Sequence, residues 1–568
     1  MRSIWSSLAL GLTLGCTTTL APEGGVGSDA GRSDVHPLDA GRDPGPVDTG
    51  GVDGGSEDAA VECSLPPASG ETEWQTSFAT LRGSVTDSVR AFLGVPFARP
   101  PLGSSRFAPP ESPACESTVR AATEFGPECP QLDARDRVVG SEDCLHLNVW
   151  APVGVSSVPV LFFIHGGGNN QGSTSVLAGT KHLYDGRALA SRGNVVVTTN
   201  YRLGALGYAT APELDAESQE GTSGNWGLMD QIQALRWVRE NIGTLGGDPS
   251  RVMIFGESAG GVNTCLLYVS PLARDLFSAA LVESGGCPGM SKSQGASATE
   301  RLADALGCSA PDRLNCMREK SPEEILRALP PSVSGLTFSD FNPIVDGFVI
   351  PEAPSAAMLA GRHANVPFAL GTNADETYMF LPPPGQVSTE AQFVAAARTF
   401  LLGSGVAPSK ADLAIAVYPP SEYSSPHAAL VALTTDFRWT CPGRLLLQSL
   451  ATTSAPTYRY YFDWSLDRMA APVLSLAGAY HGLELFYVFG SVDGAGGYQP
   501  TPADRALSQR MMRYWSRFAA TGDPNGDDDP AWPRWDASTD AHVVLAEPTT
   551  SGHGVRTDVC DALEEALR

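Results

Sequence analysis

The chain has 568 residues, 63 acidic against 38 basic side chains, a net charge of −25, and 42% hydrophobic residues. Such a length can bury a large core, and the acidic balance argues against a nucleic-acid binder, which needs a basic face. No uncharged apolar stretch reaches the ~18 residues of a membrane-spanning helix, and eleven cysteines suit an exported chain better than a cytosolic one.

Residues 1–15 read as a signal peptide: Arg2 gives a charged start, and a short apolar run leads to Gly15 and Cys16. The Leu14-Gly15-Cys16 ending resembles a bacterial lipoprotein signal, in which Cys16 carries the lipid anchor. Thr13 departs from it, standing where leucine is usual. The expected location is therefore the outer membrane, as a lipoprotein, or the secreted fraction. Residues 16–62 are a different material. Ten acids against two arginines are spread through Gly, Pro, Ser and Ala, with no aromatic residue. This composition cannot offset its ordering entropy, so the segment reads as a disordered tether with a reach of about 40 Å.

Residues 63–568 read as one α/β domain. Residues 160–164 form a continuous apolar run ending at His165-Gly166-Gly167-Gly168, and residues 195–199 form a second. Residues 231–242 place Ile232, Leu235, Val238 and Ile242 on one helical stripe. Gly246-Gly247-Asp248-Pro249 breaks that helix, and residues 252–255 read as a short buried strand. Strands separated by helices predict a large, mostly parallel central sheet flanked by helices.

Gly256-Glu257-Ser258-Ala259-Gly260-Gly261 then stands between that strand and a helix-like run over residues 262–267. A Gly-x-Ser-x-Gly string is weak by itself. Between a strand and a helix it is a nucleophile turn, because small neighbours let a strained serine project its oxygen.

With those residues the chain resembles the type-B carboxylesterase family of α/β-hydrolases, which includes the cholinesterases. Further matching blocks are residues 92–98, 125–127, 141–145, 224–231 and 518–525. The resemblance implies an α/β-hydrolase fold and a serine carboxylesterase that forms an acyl-enzyme on Ser258. Among nine histidines it singles out His481, in Tyr480-His481-Gly482-Leu483-Glu484, as the base. In Gly371-Thr372-Asn373-Ala374-Asp375-Glu376 it implies Glu376 as the orienting acid, with Asp375 as the rival. Thr377 departs from the family's usual glycine. The order Ser258, Glu376, His481 is that of α/β-hydrolases.

The resemblance also implies an oxyanion hole from the amides of Gly167, Gly168 and Ala259, and a buried polar network of Glu257, Ser284 and Glu484. It implies disulfides Cys129–Cys144, Cys308–Cys316 and Cys441–Cys560. Cys63 and Cys115 are a candidate fourth pair, while Cys265 and Cys287 are either free or bonded to each other. Counting back from Pro343-Ile344-Val345-Asp346-Gly347 puts Thr337 and Ser339 at the family's acyl-pocket positions, with Phe338 and Phe341 as competitors in a slipped register. Small residues there predict a roomy pocket. The loop between Cys129 and Cys144 holds no aromatic residue, so no ring is expected to stack on a choline.

No cysteine or histidine spacing suggests a metal, and nothing suggests a cofactor. The turn at residues 523–529 lacks the closing glutamate of a calcium loop and reads as solvated. The expected partner is a small-molecule ester, with no nucleic acid and with membrane contact only through the Cys16 anchor. A lipase or polyester-type hydrolase is the alternative. A non-catalytic binding protein on the same fold fits less well, since serine, acid, base and glycines are all present.

Overall fold

The computed structural model describes residues 63–330, 340–467, 469, 474–495 and 497–568. The signal at 1–15, Cys16 and the rest of the 16–62 segment, and the acyl-pocket positions Thr337, Phe338 and Ser339 lie outside the described residues. Among the described residues, eleven strands form the main sheet. They are β1 Ser84–Thr86, β2 Val89–Pro96, β3 His146–Pro152, β4 Val158–Ile164, β5 Val195–Thr199, β6 Gly247–Glu257, β7 Ala279–Glu283, β8 Phe368–Asn373, β9 Thr457–Phe462, β10 Ala541–Leu545 and β11 Thr550–His553. In space the order is β11-β10-β9-β8-β7-β6-β4-β5-β3-β2-β1. Every ladder from β10 across to β5 is parallel, and the strands outside that block pair antiparallel.

The continuous apolar runs are explained by burial on both faces. Along β4, Val160, Phe162 and Ile164 enter one core while Leu161 and Phe163 enter the other. In β6, Ile254 faces the first core, and Met253 and Phe255 face the second. The helices used below are α1 Trp226–Asn241, α2 Ala259–Val269, α3 Glu390–Gly403, α4 Pro426–Thr435, α5 Cys441–Ser449, α6 Leu483–Val488, α7 Pro502–Thr521 and α8 Thr557–Leu567. Helices α1 and α2 cover the first face through Leu228, Ile232, Leu235, Val238 and Leu266. Helices α6 and α7 cover the second through Leu485, Val488, Leu507, Met511, Trp515 and Phe518. Phe163 is fully buried, and cutting it to alanine should cost about 3–5 kcal/mol.

Two elements start five residues earlier than the sequence predicts. Strand β6 begins at Gly247, its register against β4 shifting between Gly247 and Val252, so the Gly-Gly-Asp-Pro break is absorbed as an irregular strand start. Helix α1 begins five residues before the recognisable stripe, because its first turn is itself buried at Trp226, Gly227 and Leu228. A third apolar cluster lies outside the sheet layers, built from α3, α4, α5 and α8 around Phe393, Leu401, Leu430, Leu433 and Leu563. The disulfide Cys441–Cys560 ties α5 to α8.

Cys129–Cys144 and Cys308–Cys316 are also bonded, as are Cys63–Cys115 and Cys265–Cys287, so neither member of the last pair is free. The turn at residues 523–529 is only partly solvated. The Asp529 side chain is 1% exposed and ion-paired with Arg513, Arg517 and Arg510, three cations where a calcium reading would need ligands.

Candidate active site

The parallel strands deliver the candidate residues to one edge of the sheet, their carboxyl ends, where α/β folds place ligand sites. The glycine loop follows β4, Ser258 follows β6, Ser284 follows β7 and Glu376 lies three residues beyond β8. His481 sits in the long connection after β9, just ahead of α6.

Ser258 holds φ 57° and ψ −121°, a conformation that costs a non-glycine residue of order 1–3 kcal/mol. Its amide donates to Glu283 O at 2.9 Å, and its carbonyl accepts from Val262 N at 2.9 Å, so the turn is clamped at both ends. The flanking glycines are steric necessities. A Cβ on Gly260 would stand 2.0 Å from Ile164 O, and one on Gly256 would stand 2.5 Å from the Gly260 carbonyl carbon. These contacts let α2 start directly against β4 and aim its first amides at the space beside Ser258.

The glycine loop crosses the same space. Gly166 passes so close that a Cβ would meet Glu257 Oε2 at 2.7 Å and the Ser258 Cβ at 3.0 Å. Gly167 and Gly168 have φ of 106° and 65°. Among the described residues, the amides of Gly167, Gly168 and Ala259 have no protein acceptor, which is what an oxyanion site requires. Tyr201 anchors the loop by donating its hydroxyl to His165 O at 2.8 Å. Burial holds His165 itself down to about 4, so that imidazole is neutral and packs in the core.

The acid and the base meet directly. His481 Nδ1 lies 2.6 Å from Glu376 Oε2, and the other oxygen, Oε1, accepts from the Asn373 amide at 2.9 Å. Glu376 is fully buried. Thr377 turns its hydroxyl to Val431 O at 3.1 Å and shares a hydrogen bond with Thr434 at 2.6 Å. The departure from glycine thus ties the acid loop to α4. Asp375 makes no contact with His481; its carboxylate accepts from the Ala479 amide at 3.0 Å.

Three glutamates crowd the one imidazole. His481 Nε2 lies 3.0 Å from Glu257 Oε1, an electrostatic contact without hydrogen-bond alignment, since that oxygen has no aligned donor. Glu484 accepts from Ser284 Oγ at 3.4 Å and from Asn373 Nδ2. Burial would push His481 down, but the charges of Glu257 and Glu376 outweigh it and raise its pKa. Burial likewise raises Glu257 and Glu484. The protons in this cluster belong to the group rather than to one residue.

The structure therefore sets Glu376 and Glu257 directly against His481, links Ser284 to Glu484, and lays the glycine loop against Glu257 and Ser258, with Ala259 next along the chain. Among the described residues no hydrogen bond joins Ser258 to His481, whose Nε2 stands against Glu257. Phe341, a competing acyl-pocket residue, is 4% exposed and belongs to the buried core on the first face of the sheet. Four neighbours escape the sequence reading. Asn373 bonds both Glu376 and Glu484, and its only sequence signal is a polar residue ending a buried strand. Glu283 ends β7 in the same manner, is fully buried, and accepts from Trp515 Nε1 at 2.8 Å, while burial pushes it well up. Phe380 and Trp439 set their rings 5.3 Å and 5.4 Å from the imidazole. No periodicity marks them, because a π-helical turn at Asp436–Thr440 delivers Trp439 and a short 3-10 turn delivers Phe380.

A serine on a strand-to-helix turn, with acid and histidine after later strands of a parallel sheet, defines the α/β-hydrolase fold. Residues 70–563 match the carboxylesterase family. Para-nitrobenzyl esterase of Bacillus subtilis (strain 168) is 35% identical over 494 residues, 84% of this chain and 95% of that protein. Carboxylesterase 1C of Rattus norvegicus is 33% identical over 513 residues, 83% of this chain and 88% of that protein. A solved PNB esterase structure superposes with a TM-score of 0.73 at 32% identity, covering 87% of this chain and 99% of its own. The chain belongs to the carboxylesterase family and is a carboxylic ester hydrolase.

Proposed function

We propose that the chain hydrolyses small carboxylic esters through an acyl-enzyme on Ser258. His481 Nε2 takes the Ser258 proton as Oγ attacks the ester carbonyl, and the oxyanion is held by the amides of Gly167, Gly168 and Ala259. Collapse returns that proton to the leaving alcohol. Water, deprotonated by the same imidazole, then attacks the acyl-enzyme and frees the acid and Ser258. Glu376 fixes the Nδ1–H tautomer and stabilises the imidazolium without taking its proton. The observation that carries this reading is the 2.6 Å contact between His481 Nδ1 and a buried Glu376.

A fluorophosphonate should label Ser258 once and abolish activity, and Ser258→Ala should be inactive. Labelling elsewhere, or full turnover by that variant, refutes the proposal. On a panel of esters we expect butyrate or hexanoate to exceed acetate, from the small Thr337 and Ser339, with each methylene contributing about 0.8 kcal/mol until the pocket fills. No preference for choline esters over neutral esters of the same acid is expected. Best rates on long-chain emulsions or polymers would instead favour the lipase or polyester reading.

Five disulfides among the described residues point to an oxidising compartment and an exported protein. Within that, we propose that residues 1–15 direct export, Cys16 carries the lipid, residues 16–62 are the tether and residues 63–568 the enzyme. All ten described cysteines pair among themselves, which leaves Cys16 as the eleventh. Metabolic labelling with a radioactive fatty acid, lost in Cys16→Ser, tests the anchor.

A further inference from the structure

Asp375 stands next to the acid of the triad yet serves a different neighbour. Its amide donates to Ala479 O at 3.1 Å, and its carboxylate Oδ2 accepts from the Ala479 amide at 3.0 Å. Two residues upstream, Asn373 Nδ2 donates to Tyr480 O at 2.9 Å. One residue downstream, Glu376 meets His481. Three consecutive residues of the histidine loop, Ala479, Tyr480 and His481, are thus each gripped by a residue at the end of β8 or just beyond it.

The grip on Ala479 leaves no room for a side chain at the residue before it. Gly478 has φ +61°, and a Cβ there would lie 2.1 Å from Asp375 Oδ2, so the carboxylate occupies the volume a side chain would need. Ala479 and Tyr480 are 2% and 4% exposed, so an Ala479 amide deprived of its acceptor has little access to water in exchange. Asp375 is not placed as the orienting acid: its Oδ2 accepts from the Ala479 amide, and His481 Nδ1 faces Glu376 instead.

We infer that Asp375 is a positioning residue for ester hydrolysis: by clasping Ala479 it sets where His481 stands relative to Ser258. The inference rests on the Ser258–Glu376–His481 reading and adds to it a residue that touches neither substrate nor imidazole. The clasp acts through geometry, so it requires an acceptor oxygen at the Oδ2 position rather than a negative charge. An asparagine supplies that oxygen, and an alanine does not.

The test compares wild type, Asp375→Ala, Asp375→Asn and Ser258→Ala with p-nitrophenyl butyrate, measuring kcat and KM separately. Asp375→Ala should lose roughly 10–100-fold in kcat, the scale of a misplaced catalytic group, with KM held within about threefold. Asp375→Asn should restore kcat to within about threefold of wild type, which a requirement for charge would not allow. The rate of fluorophosphonate labelling at Ser258 should fall with kcat in Asp375→Ala and recover in Asp375→Asn. A folded Asp375→Ala enzyme with wild-type kcat overturns the inference, as does an Asp375→Asn enzyme as slow as Asp375→Ala. Should Asp375→Ala not fold, Gly478→Ala presses on the same clasp from the other side. A fall in kcat at constant KM there supports the inference, and an unchanged kcat overturns it. An inactive Ser258→Ala beside a fully active Asp375→Ala removes only the clasp, whereas an active Ser258→Ala removes the triad reading and the clasp with it.

Discussion

Glu376→Gln isolates the electrostatic and geometric work of the acid with almost no change in shape. In the native site Oε1 accepts from the Asn373 amide at 2.9 Å and Oε2 faces His481 Nδ1 at 2.6 Å. A glutamine must put its carbonyl oxygen where Oε1 was, because the Asn373 amide is a buried donor. Its NH2 group then faces Nδ1, so the imidazole has to carry its proton on Nε2 to avoid donor against donor. That tautomer cannot accept the Ser258 proton. Flipping the amide restores the tautomer but leaves the Asn373 amide unpaired in a fully buried place, at about 1–3 kcal/mol. Wrong-tautomer substitutions of this kind lower kcat by about 10⁴, equivalent to roughly 5.4 kcal/mol of barrier. Steady-state hydrolysis of p-nitrophenyl butyrate, normalised by thermal unfolding to folded protein, measures it. A folded variant within tenfold of wild-type kcat would refute the assignment of Glu376.

The pH dependence follows from the same cluster. Carboxylates raise the His481 pKa, so kcat/KM should fall with decreasing pH from above the ordinary imidazole range, as the base becomes protonated. Glu257→Gln removes one of those charges and should carry the acid limb roughly one unit lower; an unmoved or raised limb counts against the Glu257–His481 contact. Replacing both Cys441 and Cys560 by alanine opens a link spanning 119 residues and should cost about 2–4 kcal/mol in urea unfolding, with no loss expected if the helical layer were held by packing alone. Gly260→Ala forces a methyl to within 2.0 Å of Ile164 O and should yield little folded enzyme, and a stable, active variant would contradict the close seating of α2 on β4.

Local chemistry determined what the sequence could reveal by itself. Ser258 is legible because the glycines at 256 and 260, needed where the turn closes on itself and on Ile164, leave a short Gly-x-Ser-x-Gly string around it, and the two-faced burial of β4 and β6 demands unbroken apolar runs. Glu376 and His481 were reachable through resemblance, since 105 residues separate them and no periodicity links them. The tertiary structure alone decided which neighbour each polar group serves. Asp375 and Glu376 are adjacent carboxylates, and only the fold turns one to Ala479 and the other to His481. Glu283, Asn373, Phe380 and Trp439 join the site because strands β7 and β8, a 3-10 turn and a π-helical turn end beside it, a convergence of distant segments that no local pattern encodes. The pairing of Cys265 with Cys287 belongs to the same class: α2 and the chain after β7 must first be packed against one sheet before the two sulfurs can meet.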